Sequence, residues 1–157
     1  NNLETAVSAN NLHSLTNLCV ASTSAGMAFS NASLGADHAI AHSLGGKHDV
    51  MHGLMHPVLL PEVMRFNLPA CREKMAKIGE IVSHEQGKTE EETALMGIRQ
   101  LESFFKSLEA PLKLRELIPN RSQLRQACQV AVQDACILTN PRQVSWEDCL
   151  SICEQVW

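Results

Sequence analysis

Apolar positions along the chain recur every three or four residues, the period of a helix that buries one face. From Leu12 to Asn31 this gives Leu15, Leu18, Cys19, Ser22, Ala25, Gly26 and Phe29, with small residues between them. Small side chains let helices approach closely, so this stretch is expected to be a central helix. Gly35 separates it from a second helical stretch, Ala36 to Leu44, which Gly45-Gly46 should end by supplying left-handed cap geometry. Gly53 to Phe66 is apolar and helical, bent or segmented where Pro57 and Pro61 each remove a backbone donor. Leu68-Pro69 marks its stop. Pro69 then suits the first turn of a helix to about Glu85, with Met75, Ile78 and Val82 inward.

After a turn around Gly87, Thr89 and Glu92 have capping-box spacing before a helix to about Leu108 whose inward stripe includes Leu95, Ile98, Leu101 and Phe105. Pro111 and Pro119 bracket a connector in which Leu112, Leu114, Leu117 and Ile118 pack as short turns. Asn120 and Gln123 open an Arg121 to Leu138 helix, Thr139-Asn140-Pro141 closes it, and Ser145 with Asp148 starts a last helix ending at Trp157. Strand signals are scarce: there is no Tyr, and no alternating run is bounded by a hairpin turn. With no repeat and no linker, the expectation is all-α: one domain over residues 1–157, a bundle of about six or seven helices.

Composition narrows the function classes. Thirteen basic against seventeen acidic residues give a net charge of -4, and no basic cluster exists to track phosphates, so nucleic acid is excluded as a partner. Ser14 to Ala36 is uncharged throughout, yet Ser, Thr and Asn recur in it, which favours burial in protein over a membrane span. The start at Asn1-Asn2-Leu3-Glu4 lacks a basic region and an apolar run, so it does not read as a targeting segment. The six cysteines, at 19, 71, 128, 136, 149 and 153, form no Cys-x-x-Cys pair and read as free thiols of a reducing, cytoplasmic compartment, packed as small hydrophobes.

The chemical anomaly is histidine. Five of the seven, His38, His42, His48, His52 and His56, lie within nineteen residues. His38 and His42 are four apart on one helix face, and His52 follows a break that can return a third ring to the same place. Imidazole is a neutral nitrogen ligand for zinc and iron. His56 lies four beyond His52 and can line the same opening, while His48 and Asp49 belong to a solvated turn. Asp37 points away from His38 and qualifies only as an outer partner of an imidazole. A zincin motif is excluded because position 39 is Ala where the base Glu would stand.

Phe29-Ser30-Asn31-Ala32-x-Leu34-Gly35-x-x-His38, His42-x-x-Gly45, His52-Gly53, Leu59-Leu60-Pro61 and the late Leu138-Thr139-Asn140-Pro141-Arg142 resemble the iron-containing, group III, alcohol dehydrogenases along nearly the whole chain. The resemblance implies an N-terminal α/β domain that binds NAD or NADP, a C-terminal helical domain, and iron or zinc held by an Asp and three His in the cleft between them. It places His38 and His52 at the last two metal ligands and His42 at a non-ligand histidine that handles protons near substrate and nicotinamide. Phe29 would be apolar wall or core. Two positions depart from the family pattern: Met51 replaces the usual Pro before His52, and His56-Pro57 replaces Asn-Ala, which leaves three readings of His56: an accessory donor, a chargeable ring that alters the substrate, or a relic of a sequence released from catalytic constraint.

On this reading the first two ligands and the dinucleotide domain lie outside the sequence, and no glycine-rich phosphate loop replaces them. The chain is then the metal-binding helical half of an NAD(P)-dependent alcohol/aldehyde oxidoreductase, inactive alone. Its partners are the nucleotide domain or another copy in a homo-oligomer, with a small alcohol or aldehyde as substrate. The alternatives are a repurposed, non-catalytic helical module for sensing or protein interaction, and a self-contained metal site completed by His42 or His56.

Overall fold

The computed structural model describes residues 2–157; Asn1, the first residue of the domain and N-terminal readings above, lies outside the described residues. All regular structure among the described residues is helical, with eight α-helices and four short 3-10 turns. The chain divides into two compact units, one ending at Ser33 and one spanning Leu34–Trp157.

The first unit is α1 (Asn2–Ala9) packed on α2 (Leu12–Ala32). Asn11 caps α2, its side chain accepting from the Ser14 N–H at 3.0 Å. Thr16, Thr23, Ser24, Ser30 and Asn31 each donate a side-chain hydrogen bond to the carbonyl four residues earlier. The polar side chains are thereby satisfied within the helix and need no partner from another element. The expectation of a buried helix is corrected: Ser14 is its one buried residue, and Leu12, Val20, Met27 and Phe29 are exposed. Phe29 is therefore neither core nor closed wall here.

The second unit contains α3 (Ala36–His48), α4 (His52–Asn67), α5 (Arg72–Ser83), α6 (Glu90–Ser107), α7 (Leu124–Ala131) and α8 (Trp146–Gln155). Helix α4 packs against α3, α6 and α8. Its Met55 and Leu59 join Ile40 and Leu44 of α3, Leu114 and Ile118 of the connector, and Cys128, Cys149 and Cys153 of α7 and α8 in the main core. Each large apolar side chain fully buried there contributes about 1.5–3 kcal/mol. A second cluster joins Met64 and Leu68 to Met75 of α5 and to Ala94 and Ile98 of α6.

Several local expectations are revised. The Gly45-Gly46 pair lies inside α3, which continues to His48 and ends on Asp49 in left-handed geometry, φ 53°. Gly45 sits at a close approach: a Cβ there would lie 3.3 Å from the Val50 carbonyl, tighter than usual contact. Pro57 and Pro61 do not divide α4, which is continuous from His52. Pro69 sits in a 3-10 turn, Leu68–Ala70, and α5 starts only at Arg72. Of the stripe expected on α5, Met75 is buried and Ile78 is exposed. Thr89 accepts from the Glu92 N–H, but Glu92 reaches the Lys88 N–H, so that capping box is half formed, whereas Ser145–Asp148 is complete. The expected Arg121 to Leu138 helix is three elements: a 3-10 turn over Arg121–Gln123, α7, and a 3-10 turn over Ala135–Thr139 capped by Asp134.

Candidate functional site

Helix α3 begins without a side-chain cap of its own, since Gly35 occupies that position. Asn140 supplies it from far along the chain, its Oδ1 accepting from the Ala36 N–H at 3.1 Å. Thr139 Oγ1 donates to the Leu34 carbonyl at 2.6 Å. These contacts fix the turn from which Asp37, His38 and His42 project.

Four imidazoles meet where α3 faces the start of α4. The His38 ring centroid lies 5.9 Å from His42, 5.4 Å from His52 and 4.6 Å from His56. His42 stacks on His52 at 5.2 Å, and His52 meets His56 edge-on at 4.4 Å. His48, the fifth of the sequence cluster, ends α3 outside this group, and its buried Nε2 has no partner, so it is less solvated than expected. One donor atom from each of His38, His52 and His56 lies within 4.8 Å of the others.

Two carboxylates flank the rings. Asp37, buried, accepts from His56 Nδ1 at 2.6 Å through Oδ2, which is also 3.6 Å from His38 Nδ1. Asp37 is thus the hydrogen-bond partner of an imidazole, that of His56 on α4, while its oxygen also stays near its chain neighbour His38. On the other side His42 Nδ1 is 2.8 Å from Asp134 Oδ2, and the Asp134 Oδ1 accepts from the Cys136 N–H at 2.8 Å. His42, Asp134 and Cys136 form a second group of closely spaced donors. His42 and Asp134 also line a hollow of about 270 Å³ with Ala39, Ser43 and Val130.

Asp134 and Cys136 were not anticipated as site residues, because a continuous helix to Leu138 would have pointed them elsewhere. The short polar Asp134 two residues before Cys136 was the available signal, an Asx-type turn breaking the helix.

Burial first, then the neighbouring His56, lowers the His38 pKa, with Asp37 opposing; burial, His56 and His42 lower that of His52. Both rings therefore favour the neutral form a metal ligand requires. Asp134 is held down to about 2 by the Cys136 backbone N–H and by His42. A carboxyl depressed in the folded state adds stability above its unfolded pKa and loses it as pH falls through the folded value. Asp134→Asn is accordingly expected to cost about 1 kcal/mol at neutral pH, reduced by solvent screening. The gap to the wild type should close between about pH 4 and pH 2 in urea melts; a gap that persists at pH 2 would show that the charge is not its source.

The fold and its converging imidazoles define a class of helical domain that presents a cluster of nitrogen donors. Residues 1–157 match the profile described as "Fe-containing alcohol dehydrogenase family, C-terminal", and the chain belongs to that family. It is 35% identical over 158 residues to a 1,3-propanediol dehydrogenase of Citrobacter freundii, covering 99% of this chain and 41% of the relative. To alcohol dehydrogenase 4 of Saccharomyces cerevisiae it is 38% identical over 144 residues, covering 90% of this chain and 36% of that protein. A crystal structure of 1,3-propanediol oxidoreductase matches with a TM-score of 0.94 at 35% identity, over 99% of this chain and 41% of that one. The chain thus spans about two-fifths of the length of these relatives. Family and fold bear out the resemblance stated above and the all-α class. No helix among the described residues is long and apolar enough to cross a membrane.

Proposed function

We propose that this chain is the metal-binding helical half of an NAD(P)-dependent alcohol/aldehyde oxidoreductase of the cytoplasm. The observation that carries the reading is the convergence of His38, His42 and His52 from α3 and α4, in a member of the iron-containing family. Neutral imidazoles suit iron or zinc, and the unpaired Oδ1 of buried Asp37 leaves a carboxylate behind the donors, so the residues present fit such an ion. When bound, the ion supplies Lewis-acid polarisation of the substrate oxygen. His38 and His52 hold it, with His56 accessory to them.

His42 stands beside the donors and is anchored through Nδ1 to Asp134, which leaves Nε2 free to take or return the hydroxyl proton of a small alcohol. Asp134 fixes the tautomer of His42 that does this. NAD or NADP is bound mainly by a domain outside this sequence, and the chain alone does not transfer hydride. A full-length product loaded with iron or zinc is expected to reduce NAD or NADP with small primary alcohols or diols, while the 157-residue chain with the same additions does not. Turnover by neither, across both ions and both nucleotides, would sink the reading.

The exposed Leu12, Val20 and Met27 of α2 favour a second reading, a helical module that binds another protein or a second copy in a homo-oligomer. It gains if the full-length product is inert in the same assay.

A further inference from the structure

The group of imidazoles contains one more donor than the proposed ligand pair requires. We propose that His56 is a third metal ligand, positioned by Asp37, so that His38, His52 and His56 form within this one chain a site for a borderline divalent transition ion such as zinc, cobalt or iron. The proposal deepens the metal-site reading above and rests on His38 and His52 being ligands.

The geometry at His56 carries it. Its Nδ1 faces Asp37 Oδ2 at 2.6 Å, and a carboxylate accepts, so Nδ1 holds the proton and Nε2 presents a lone pair. That Nε2 lies 3.0 Å from His52 Nε2. Two nitrogens bound tetrahedrally to one ion at 2.0–2.1 Å stand roughly 3.3 Å apart, so a few tenths of an ångström of opening, with the proton that His52 Nε2 donates to His56 shifted to His52 Nδ1, converts the pair into a chelate. His52 and His56 share a face of α4 at four-residue spacing, and His38 brings a donor from α3 within 4.8 Å of both.

Asp37 supplies an independent observation. Its side chain is buried, and Oδ1 has no hydrogen-bond partner. A buried carboxylate with one oxygen unpaired is costly, and a cation beyond the His56 ring compensates it through the imidazole. A carboxylate behind a ligating histidine is the arrangement that fixes ring orientation and tautomer at metal centres. Three imidazoles leave the ion room for donors from outside this chain.

The test is titration of the metal-stripped 157-residue chain with cobalt(II), read by its visible d–d absorption, with zinc displacing it in competition. Wild type is expected to bind one ion with the intense bands of a four-coordinate site. His56→Asn should weaken binding more than about tenfold, and Asp37→Asn by about 10–100-fold, the usual effect of an outer partner. In the metal-free chain, nitrogen NMR should show His56 protonated at Nδ1 in wild type and in mixed tautomers in Asp37→Asn, a change that simple loss of packing would not produce. Circular dichroism confirms that each variant folds.

The proposal is overturned if His56→Asn binds cobalt within twofold of wild type, or if wild type takes up neither ion stoichiometrically. His38→Ala separates the two levels. If it abolishes binding while His56→Asn does not, His56 is excluded and the metal reading of His38 and His52 stands. If His38→Ala also leaves binding unchanged, that metal reading fails with it.

Discussion

Asn140→Ala is expected to destabilise the protein by about 3 kcal/mol, roughly a hundredfold or more in the folding equilibrium. Asn140 and Asn67 are reciprocal partners: Asn67 Nδ2 donates to Asn140 Oδ1 at 3.0 Å, and Asn140 Nδ2 donates to Asn67 Oδ1 at 2.8 Å. Asn140 also donates to the Arg142 carbonyl at 2.7 Å and accepts from the Ala36 N–H. Asn67 is 5% exposed, so truncation of Asn140 leaves both ends of a buried amide unpaired together with the first free N–H of α3. Each such orphan costs about 1–3 kcal/mol, less whatever water can reach it.

A double-mutant cycle in urea isolates the effect. Asn67→Ala and Asn140→Ala should each be costly, and the double variant should cost less than their sum by about 1–3 kcal/mol. Additive losses would show that the two amides act separately. Because Asn140 fixes the N-terminus of α3, the single variant should also loosen the placement of Asp37 and His38 and weaken cobalt uptake, an effect absent from Asp134→Asn at the other end of the cluster.

This network explains what the sequence could disclose and what it could not. The Thr139-Asn140-Pro141 segment is visible as a helix stop and as a family motif, but its partners lie 73 and 104 residues away, and nothing in local periodicity names them. His38 and His42 were legible as a pair because one helix fixes their spacing. Convergence with His52 was expected from a break at Gly45-Gly46; the helix runs through that pair to His48, and the turn after it brings the three together. The Asp37–His56 bond was not legible, since it depends on how α3 crosses α4.

The same limit applies to Asp134. A chain with helix-forming residues from Arg121 to Leu138 gives little warning that the helix ends at Ala131 and that an Asx cap re-aims Cys136. At α2 the error ran the other way. Small residues at helical spacing suggested tight packing, but its Ser and Thr side chains bond to their own helix, and Leu12, Val20, Met27 and Phe29 are exposed.

Gly97→Val should cost about 3 kcal/mol or more, through overpacking and a lost helix–helix seam. Helices α5 and α6 touch backbone to backbone: a Cβ at Gly97 would lie 2.3 Å from the Gly79 Cα, and one at Gly79 would lie 2.2 Å from the Thr93 carbonyl oxygen. Neither obstacle is the end of a flexible side chain, so relief requires the helices to separate. That would strip cover from Met75, Ala94 and Ile98. Helix propensity pulls the opposite way, since replacing an interior glycine with alanine gains about 1 kcal/mol where there is room. Gly26 on α2 has nothing within 4 Å of its missing Cβ, so Gly26→Ala should stabilise by up to about that amount. Even Gly97→Ala should destabilise, because displacement of two backbones outweighs the propensity gain. Thermal melts of the three variants decide it: Gly26→Ala above wild type, Gly97→Ala below it and Gly97→Val lowest. A Gly97→Ala melting point at or above wild type would mean that the α5–α6 contact is looser than the distances require.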